Sequence, residues 1–263
     1  MTSKPPSMHP AMQAIASRDN PLLKELRKLA QGNTAYRKTG RFWVEGDHLC
    51  RAALVRGLQP VIAVFAQSYW PQASAHWAAA PKNVVVPDAL FDEISGLESP
   101  ATLGFVLDVP AHSAIAPDAP TVILDRVQDA GNVGSILRSA AAFGFQQVIA
   151  LQETAALWSP KVLRAGMGAH FGLRLHEGVQ EADMDALKVP LVVTSSHQGT
   201  LIQHLTLPFP CAWVMGHEGQ GVRQSLLERA QVQVRIDQPG GEESLNVAAA
   251  AAICLHASAV GAG

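Results

Sequence analysis

Cysteine is scarce: Cys50, Cys211 and Cys254 are the only three in 263 residues. They are too far apart for a disulfide framework and no pair has metal-ligand spacing, so they read as reduced, packed thiols and no metal site is expected. Charge is scarce too, at 16% of residues with a formal net charge of −2, so total charge does not announce a nucleic-acid binder. No stretch has the length of a membrane span: residues 247–260 are apolar but too short, and residues 1–14 lack the basic start and apolar core of a signal peptide. With 48% apolar residues the chain reads as a soluble, cytoplasmic globular protein, long enough for two domains.

What is there is an ordered alternation of elements. Residues 1–14, rich in Pro, Ser and Met, predict a frayed tail. Asn20-Pro21 is a helix-start signal, and Leu22, Leu23, Leu26 and Leu29 follow at helical spacing with Lys24, Arg27 and Lys28 between them. Short strands at 41–45, 61–65, 84–86 and 103–109, with a helix at 47–55, complete a small α/β unit over 15–109. A Pro/Ala-rich stretch, 110–120, reads as a linker. Beyond it, strands at 121–124, 147–151, 189–194, 212–215 and 233–236 alternate with helices at 132–143 and 245–260. That order predicts an α/β domain with a parallel sheet over 121–263.

Three clusters carry candidate chemistry. The first, LDRVQDAGNVGSILRSAAAFGF at 124–145, leaves a strand and enters a helix near Asn132. Gly131 and Gly134 permit a tight turn or a close approach, the helix start suits an anion, and Arg138 lies less than two turns further on. A glycine turn with Arg138 in a surface ion pair is the plainer alternative; the dinucleotide fingerprint is missing. The second, WVMGHEGQGV at 213–222, ends a strand in Gly216, His217, Glu218, Gly219, Gln220 and Gly221. Three glycines around one carboxylate suggest a binding loop at the carboxyl end of a parallel strand, although Glu218 also fits a solvated loop charge. His217 lacks a spaced partner for metal binding. The third, QPGGEESLNVAAAAAICLHASA at 238–259, opens an alanine-rich helix at Ser244, an expected N-cap, with Asn246 in the first turn.

Taken together, N-x-G-x-x-x-R at Asn132, Gly134 and Arg138, G-x-E-G-x-G at 216–221 and S-L-N-V at 244–247 resemble the three signature motifs of the SpoU/TrmH family, SPOUT-superfamily RNA ribose methyltransferases. A connecting segment, Ser159-Pro160-Lys161 with Arg164, Met167, Gly168 and Ala169, fits the same pattern. Ala130 and Gly166 depart from it, where many relatives have Pro and Ser, without removing a motif side chain. Residues 15–49 resemble the substrate-binding domain of rRNA-type members, similar in fold to ribosomal L30e/L7Ae proteins.

The resemblance implies an α/β catalytic domain with a C-terminal trefoil knot, preceded by a small L30e-like domain. It implies S-adenosylmethionine held by Gly216, Ile236 and Leu245, and a homodimer formed through the C-terminal domain. It also implies methylation of an RNA 2′-hydroxyl with Arg138, Asn132, Glu218, Ser244 and Asn246 as site residues. Arginine holds its proton too firmly to be a good base, so Arg138 is expected to act electrostatically, with Asn132, Ser244 and Asn246 positioning ribose and phosphate.

RNA contact is expected from the N-terminal domain. Residues 18–56 carry nine basic side chains (Arg18, Lys24, Arg27, Lys28, Arg37, Lys38, Arg41, Arg51, Arg56) against four acidic ones, a local excess of five. That domain favours 23S-type rRNA as substrate. A tRNA substrate, or a non-catalytic RNA-binding protein keeping the fold, are the alternatives.

Overall fold

The computed structural model describes residues 12–73, 77, 80–111, 113–195, 199–240 and 244–261. The chain divides into two compact units. The first runs to Pro110 and takes in Trp158–Pro160; the second takes Ala111–Leu157 and the chain from Lys161 on.

The first unit contains β1 (Met12–Ala14), α1 (Pro21–Gln31), α2 (Tyr36–Thr39), β2 (Arg41–Glu45), α3 (Asp47–Val55), β3 (Ile62–Ala66), α4 (Trp70–Ala73), β4 (Lys82–Val86), α5 (Asp88–Ile94) and β5 (Leu103–Asp108). Its sheet runs β1-β4-β3-β5-β2, with β1, β4 and β3 parallel and β5 antiparallel to both neighbours. α1 starts as its sequence dictates: the Asn20 side chain accepts from the Leu22 amide, and Pro21 occupies the first turn, where no partner for an N–H is lost. Leu23, Leu26 and Leu29 then fall on one buried face, packed with Trp43, Val64, Val84 and Phe91.

Two expectations need correction here. The tail was expected to reach residue 14, but Met12–Ala14 adds an exposed edge strand to β4, because the backbone of that edge was free to pair. Residues 1–11 of that tail lie outside the described residues. The basic excess of 18–56 is also partly cancelled, because acids from elsewhere in the unit fold against it. Arg18 and Arg27 meet Glu93, and Arg41 meets Asp108; Lys24 and Arg51 pair locally with Asp19 and Asp47.

The second unit contains β6 (Thr121–Leu124), α6 (Ala130–Ala142), β7 (Gln147–Leu151), α7 (Pro160–Gly166), β8 (Arg174–Val179), β9 (Leu191–Thr194), β10 (Thr200–Leu201), β11 (Ala212–Met215), α8 (Gln224–Arg229), β12 (Val232–Arg235) and α9 (Val247–Val260). All seven strands are parallel, in the order β10-β12-β9-β11-β6-β7-β8. The central strands TVIL, QVIAL and AWVM are buried along their length, as a sheet covered on both faces requires. The stretch expected as linker is partly fastened to this unit. Ile115 packs on its core, and the buried Gln147 side chain both accepts from the Ala116 amide (2.8 Å) and donates to its carbonyl. The three cysteines are buried and free.

Two glycines in the second unit answer to close contacts. A side chain at Gly134 of α6 would run into the backbone of Ala165 and Gly166 in α7. A Cβ at Gly166 would strike the His170 ring, which is buried and bonds through Nε2 to the Leu157 carbonyl (2.9 Å). This accounts for glycine at 166: the imidazole fills the space that a larger residue would take.

Burial lowers the His170 pKa from 6.5 to about 4. The folded value lies below the unfolded one, so the contribution of neutral His170 is complete above the unfolded pKa and is lost as pH falls through that window. Unfolding free energy should therefore drop on acidification from about pH 6.5 toward 4, by up to about 1.4 kcal/mol per pH unit from this group. Urea titrations at several pH values check it: His170→Gln should show a shallower slope, and an unchanged slope would dismiss the assignment.

Candidate active site

The carboxyl ends of the parallel strands lie on one edge of the second sheet. The loops leaving β6 and β11 therefore start side by side, and the loop leaving β12 starts two strands from β11 on the same edge, although all three are far apart in sequence. The β11 loop is a closed turn. His217 and Gly221 exchange backbone hydrogen bonds (3.0 and 2.8 Å), and His217 Nδ1 accepts from the amides of Gly219 and Gln220 (2.9 and 3.2 Å). The imidazole is thus engaged in shaping the turn. A Cβ at Gly216 would collide with the backbone of Gly221 and Val222, and Gly221 has φ +67°, so this turn requires glycine at both positions.

The turn carries Glu218 to the start of α6. Its carboxylate accepts from the backbone amides of Asp129 (3.0 Å) and Gln128 (3.2 Å) and from Asn132 Nδ2 (3.1 Å). Burial pushes the Glu218 carboxyl up, but the bonds from Asn132, Asp129 and Gln128 prevail and hold its pKa below the ordinary value. A negative charge there also meets the positive end of the helix. The first turn has its own cap, Asp129, which accepts from the Asn132 amide (2.8 Å). α6 thus begins at Ala130, two residues before the expected start, with Gly131 and Gly134 inside the helix and no turn at either.

Asn132 joins the third segment as well. Its Oδ1 accepts from Asn246 Nδ2 (2.9 Å), and Asn246 Oδ1 accepts from the amides of Ala248 and Ala249 (2.9 and 3.2 Å). Asn246 is therefore the N-cap of α9. This corrects the expectation of Ser244, which sits two residues too early to reach those amides; it is exposed, in irregular backbone.

The expected residues separate into two sets. Asn132, Glu218 and Asn246 form one continuous hydrogen-bonded chain. Arg138 and Ser244 are exposed and make no hydrogen bond or ion pair with a described residue. Of the residues expected to hold a cofactor, Gly216 and Ile236 lie just beyond β11 and β12 on the same sheet edge, and Leu245 precedes the Asn246 cap with 40% of its surface exposed.

Sequence reasoning overlooked a second group, around Asp125. This carboxylate follows β6, is wholly buried, and accepts from the Arg223 amide (2.8 Å), Arg223 Nε (2.6 Å) and Arg126 Nε (3.2 Å). Arg223 Nη2 lies at ion-pair distance from the same carboxylate, 2.6 Å, but off a hydrogen-bonding direction. Burial raises the Asp125 pKa, and the bonds from Arg223 and Arg126 more than offset this, leaving it below the ordinary carboxylate value. Arg126 has φ +60°, a conformation that costs a non-glycine residue about 1–2 kcal/mol, and its Nη1 donates to Gln220 in the β11 turn (2.9 Å). No local pattern announces a left-handed arginine. The Asp129 cap, by contrast, was legible as an acidic residue three positions before Asn132.

Comparison with known proteins follows this geometry. The SpoU rRNA methylase family model matches residues 119–256, and the MRM3-like substrate-binding domain matches residues 20–103. The chain is 29% identical over 249 residues to the 23S rRNA (guanosine(2553)-2'-O)-methyltransferase RlmP of Bacillus subtilis, covering 93% of this chain and 98% of that protein. It is 30% identical over 267 residues to an uncharacterized tRNA/rRNA methyltransferase of Synechocystis, covering 92% of each. Among solved structures, an AdoMet-bound rRNA methyltransferase from Sinorhizobium meliloti aligns with a TM-score of 0.82 at 28% identity, over 94% of this chain and 97% of that one.

Removing the α9 cap should cost about 1 kcal/mol, as expected for an N-cap asparagine, whereas removing an uninvolved hydroxyl should cost close to nothing. Chemical denaturation of Asn246→Ala and Ser244→Ala measures both. Equal losses in the two variants would contradict the cap assignment.

Proposed function

The chain belongs to the SpoU rRNA methylase family, and on that premise we propose that it transfers a methyl group from S-adenosylmethionine to a ribose 2′-hydroxyl of RNA, with 23S-type ribosomal RNA as substrate. The observation that carries this reading is the chain Glu218–Asn132–Asn246, which ties the three signature segments into one site. The matched substrate-binding domain at 20–103, for which we retain the L30e-like reading, supports ribosomal over transfer RNA.

The residues fit the donor. Leu245 offers an exposed apolar surface beside the α9 cap, and Gly216 and Ile236 stand at the strand ends on the same edge. In the same β12–α9 stretch, Gln238 Oε1 is buried and accepts no hydrogen bond from a described residue, an acceptor suited to an exocyclic amine. S-adenosylmethionine supplies an electrophilic methyl group.

What the chain must do is align the hydroxyl and manage its charge. A guanidinium is a poor base, so the role of Arg138 is to hold phosphate and stabilise the oxygen as its proton leaves. Asn132 and Asn246 have one amide hydrogen each committed within the site and one left uncommitted among the described residues. With the Ser244 hydroxyl, they make a donor-rich rim suited to ribose and phosphate oxygens. Glu218 touches no substrate in this scheme; it fixes the two asparagines.

Three further readings complete the proposal. The C-terminal segment forms a trefoil knot, consistent with a sheet in which β9, β11 and β12 are spatial neighbours of strands not adjacent in sequence. The protein is a homodimer through the second unit. In support, α9 is apolar on all sides, Ile253 and Val260 are exposed on it, and a cavity of about 500 Å³ opens among Phe143, Ile202, Ala252, Ile253 and His256. A cytoplasmic setting follows from ribosomal RNA as substrate; among the described residues no helix is long and apolar enough to cross a membrane.

Arg138→Ala should lose about a hundredfold or more in methyl transfer, the usual cost of removing one transition-state charge stabiliser, while binding S-adenosylmethionine as tightly as the wild type. Labelled-methyl incorporation into ribosomal RNA and calorimetric titration measure the two. Normal turnover by the variant would remove Arg138 from the mechanism.

A further inference from the structure

Asp125 is fully buried, charged and outside the chain of residues that the proposed reaction uses. It is nonetheless the point at which three segments of the site edge meet. Its own backbone amide donates to the Met215 carbonyl at the end of β11 (2.8 Å). Its carboxylate takes the backbone amide and Nε of Arg223, the second residue beyond the glycine-rich turn, and Nε of Arg126 on its other side. Arg126 reaches across to Gln220 within that turn. The β6 exit is braced from a third direction by Thr154, whose hydroxyl donates to the Leu124 carbonyl (3.0 Å) and accepts from the Arg126 amide (3.2 Å).

The turn itself has little steric means of holding its shape, since three of its six residues are glycine. Its backbone hydrogen bonds close it, but they do not fix it against the sheet. Two side-chain attachments do: Glu218 at the α6 start, and the Asp125 cluster at its base. Arg126 would not keep a left-handed conformation unless its guanidinium gained by it, and what it gains is Asp125 on one side and Gln220 on the other.

We propose that Asp125, clamped between Arg126 and Arg223, is a positioning residue that sets the glycine-rich turn of residues 216–221 for cofactor binding. This rests on the reading that S-adenosylmethionine binds beside that turn. The clamp acts on affinity for the donor and leaves the methyl-transfer step to Arg138 and the asparagine rim. Asp125 and Arg126 touch neither cofactor nor RNA in this role.

Two variants of the full-length protein test it. Asp125→Asn removes the charge that both guanidinium groups share. Arg126→Gly removes the bonds to Asp125 and Gln220 while relieving the left-handed conformation, so part of the stability it loses is recovered. For both, KM and Kd for S-adenosylmethionine should rise about five- to tenfold, the size expected for one or two lost hydrogen bonds, with kcat at saturation within about twofold. Amide hydrogen exchange at Gly221 and Arg223 should quicken in both.

A role confined to stability predicts a lowered melting temperature with unchanged KM and Kd in both variants, and that result overturns the proposal. Unchanged exchange at Gly221 and Arg223 overturns it as well. Wild-type protein that binds no S-adenosylmethionine defeats the cofactor reading and this role with it. In that case the exchange rates still tell whether Asp125 holds the turn, so the two failures are distinguishable.

Discussion

The second unit's site depends on one carboxylate at one helix end. Glu218 satisfies the amides of Gln128 and Asp129 at the mouth of α6, where a helix leaves donors without intrahelical partners and where its dipole favours negative charge. Through Asn132 the same carboxylate is coupled to Asn246, and Asn246 starts a second helix. Two helix N-termini and a glycine-rich turn are thus referred to a common point. Drawing together segments separated by 86 and 114 residues carries a closure entropy, but it grows slowly with loop length. The parallel sheet has already met most of it by bringing the strand ends to one edge.

A loop that binds a ligand through its backbone cannot also be held by bulky side chains of its own. Gly216 and Gly221 show the first half of that constraint: one leaves no room for a side chain and the other has a backbone that disfavours one. The second half is met by attachments at the perimeter. Glu218 fixes the turn's outer part, Arg223 fixes its base to Asp125, and the His217 ring closes it from within. Burying a carboxylate is expensive unless it is fully hydrogen-bonded, and Asp125 has that many donors because Arg223 contributes its backbone as well as its side chain. The arrangement keeps the glycine turn ordered without occupying the space inside it.

Much of this architecture was legible from residue order, and the places where it was not have physical reasons. The buried strands of the second unit declared themselves because a sheet covered on both faces needs continuous apolar runs such as TVIL and QVIAL. β8 escaped notice because RLHEGV is polar. Only His176 of its six residues is buried, and that imidazole is bonded to Gln147, so the strand carries no apolar run to announce it. Ser244 was a reasonable cap by residue type, yet Asn246 has the role because only its amide can serve two helix amides with one end and Asn132 with the other. The basic excess in residues 18–56 was real in sequence and partly neutralised in space, by Glu93 and Asp108 from outside the stretch. Arg126 could not have been foreseen: its conformation is imposed by a carboxylate and a glutamine, the latter 94 residues away.

The division of labour within the motifs follows from counting donors and acceptors. Asn246 Oδ1 receives two amides, which uses the acceptor capacity of that atom, and both oxygens of Glu218 are engaged at the α6 start. Asn246 therefore has no acceptor to spare; Glu218, with three bonds on two oxygens, is disfavoured as a base because those bonds stabilise its ionised form. What the asparagines leave uncommitted among the described residues is hydrogen, one amide N–H each, and Arg138 and Ser244 of the same segments are exposed. A surface that mainly donates is complementary to phosphate and sugar oxygens and unhelpful to a group that must lose a proton. In the proposed reaction the proton of the attacking hydroxyl would leave through phosphate or water, and the protein's contribution would be to make the resulting oxygen anion tolerable where it forms.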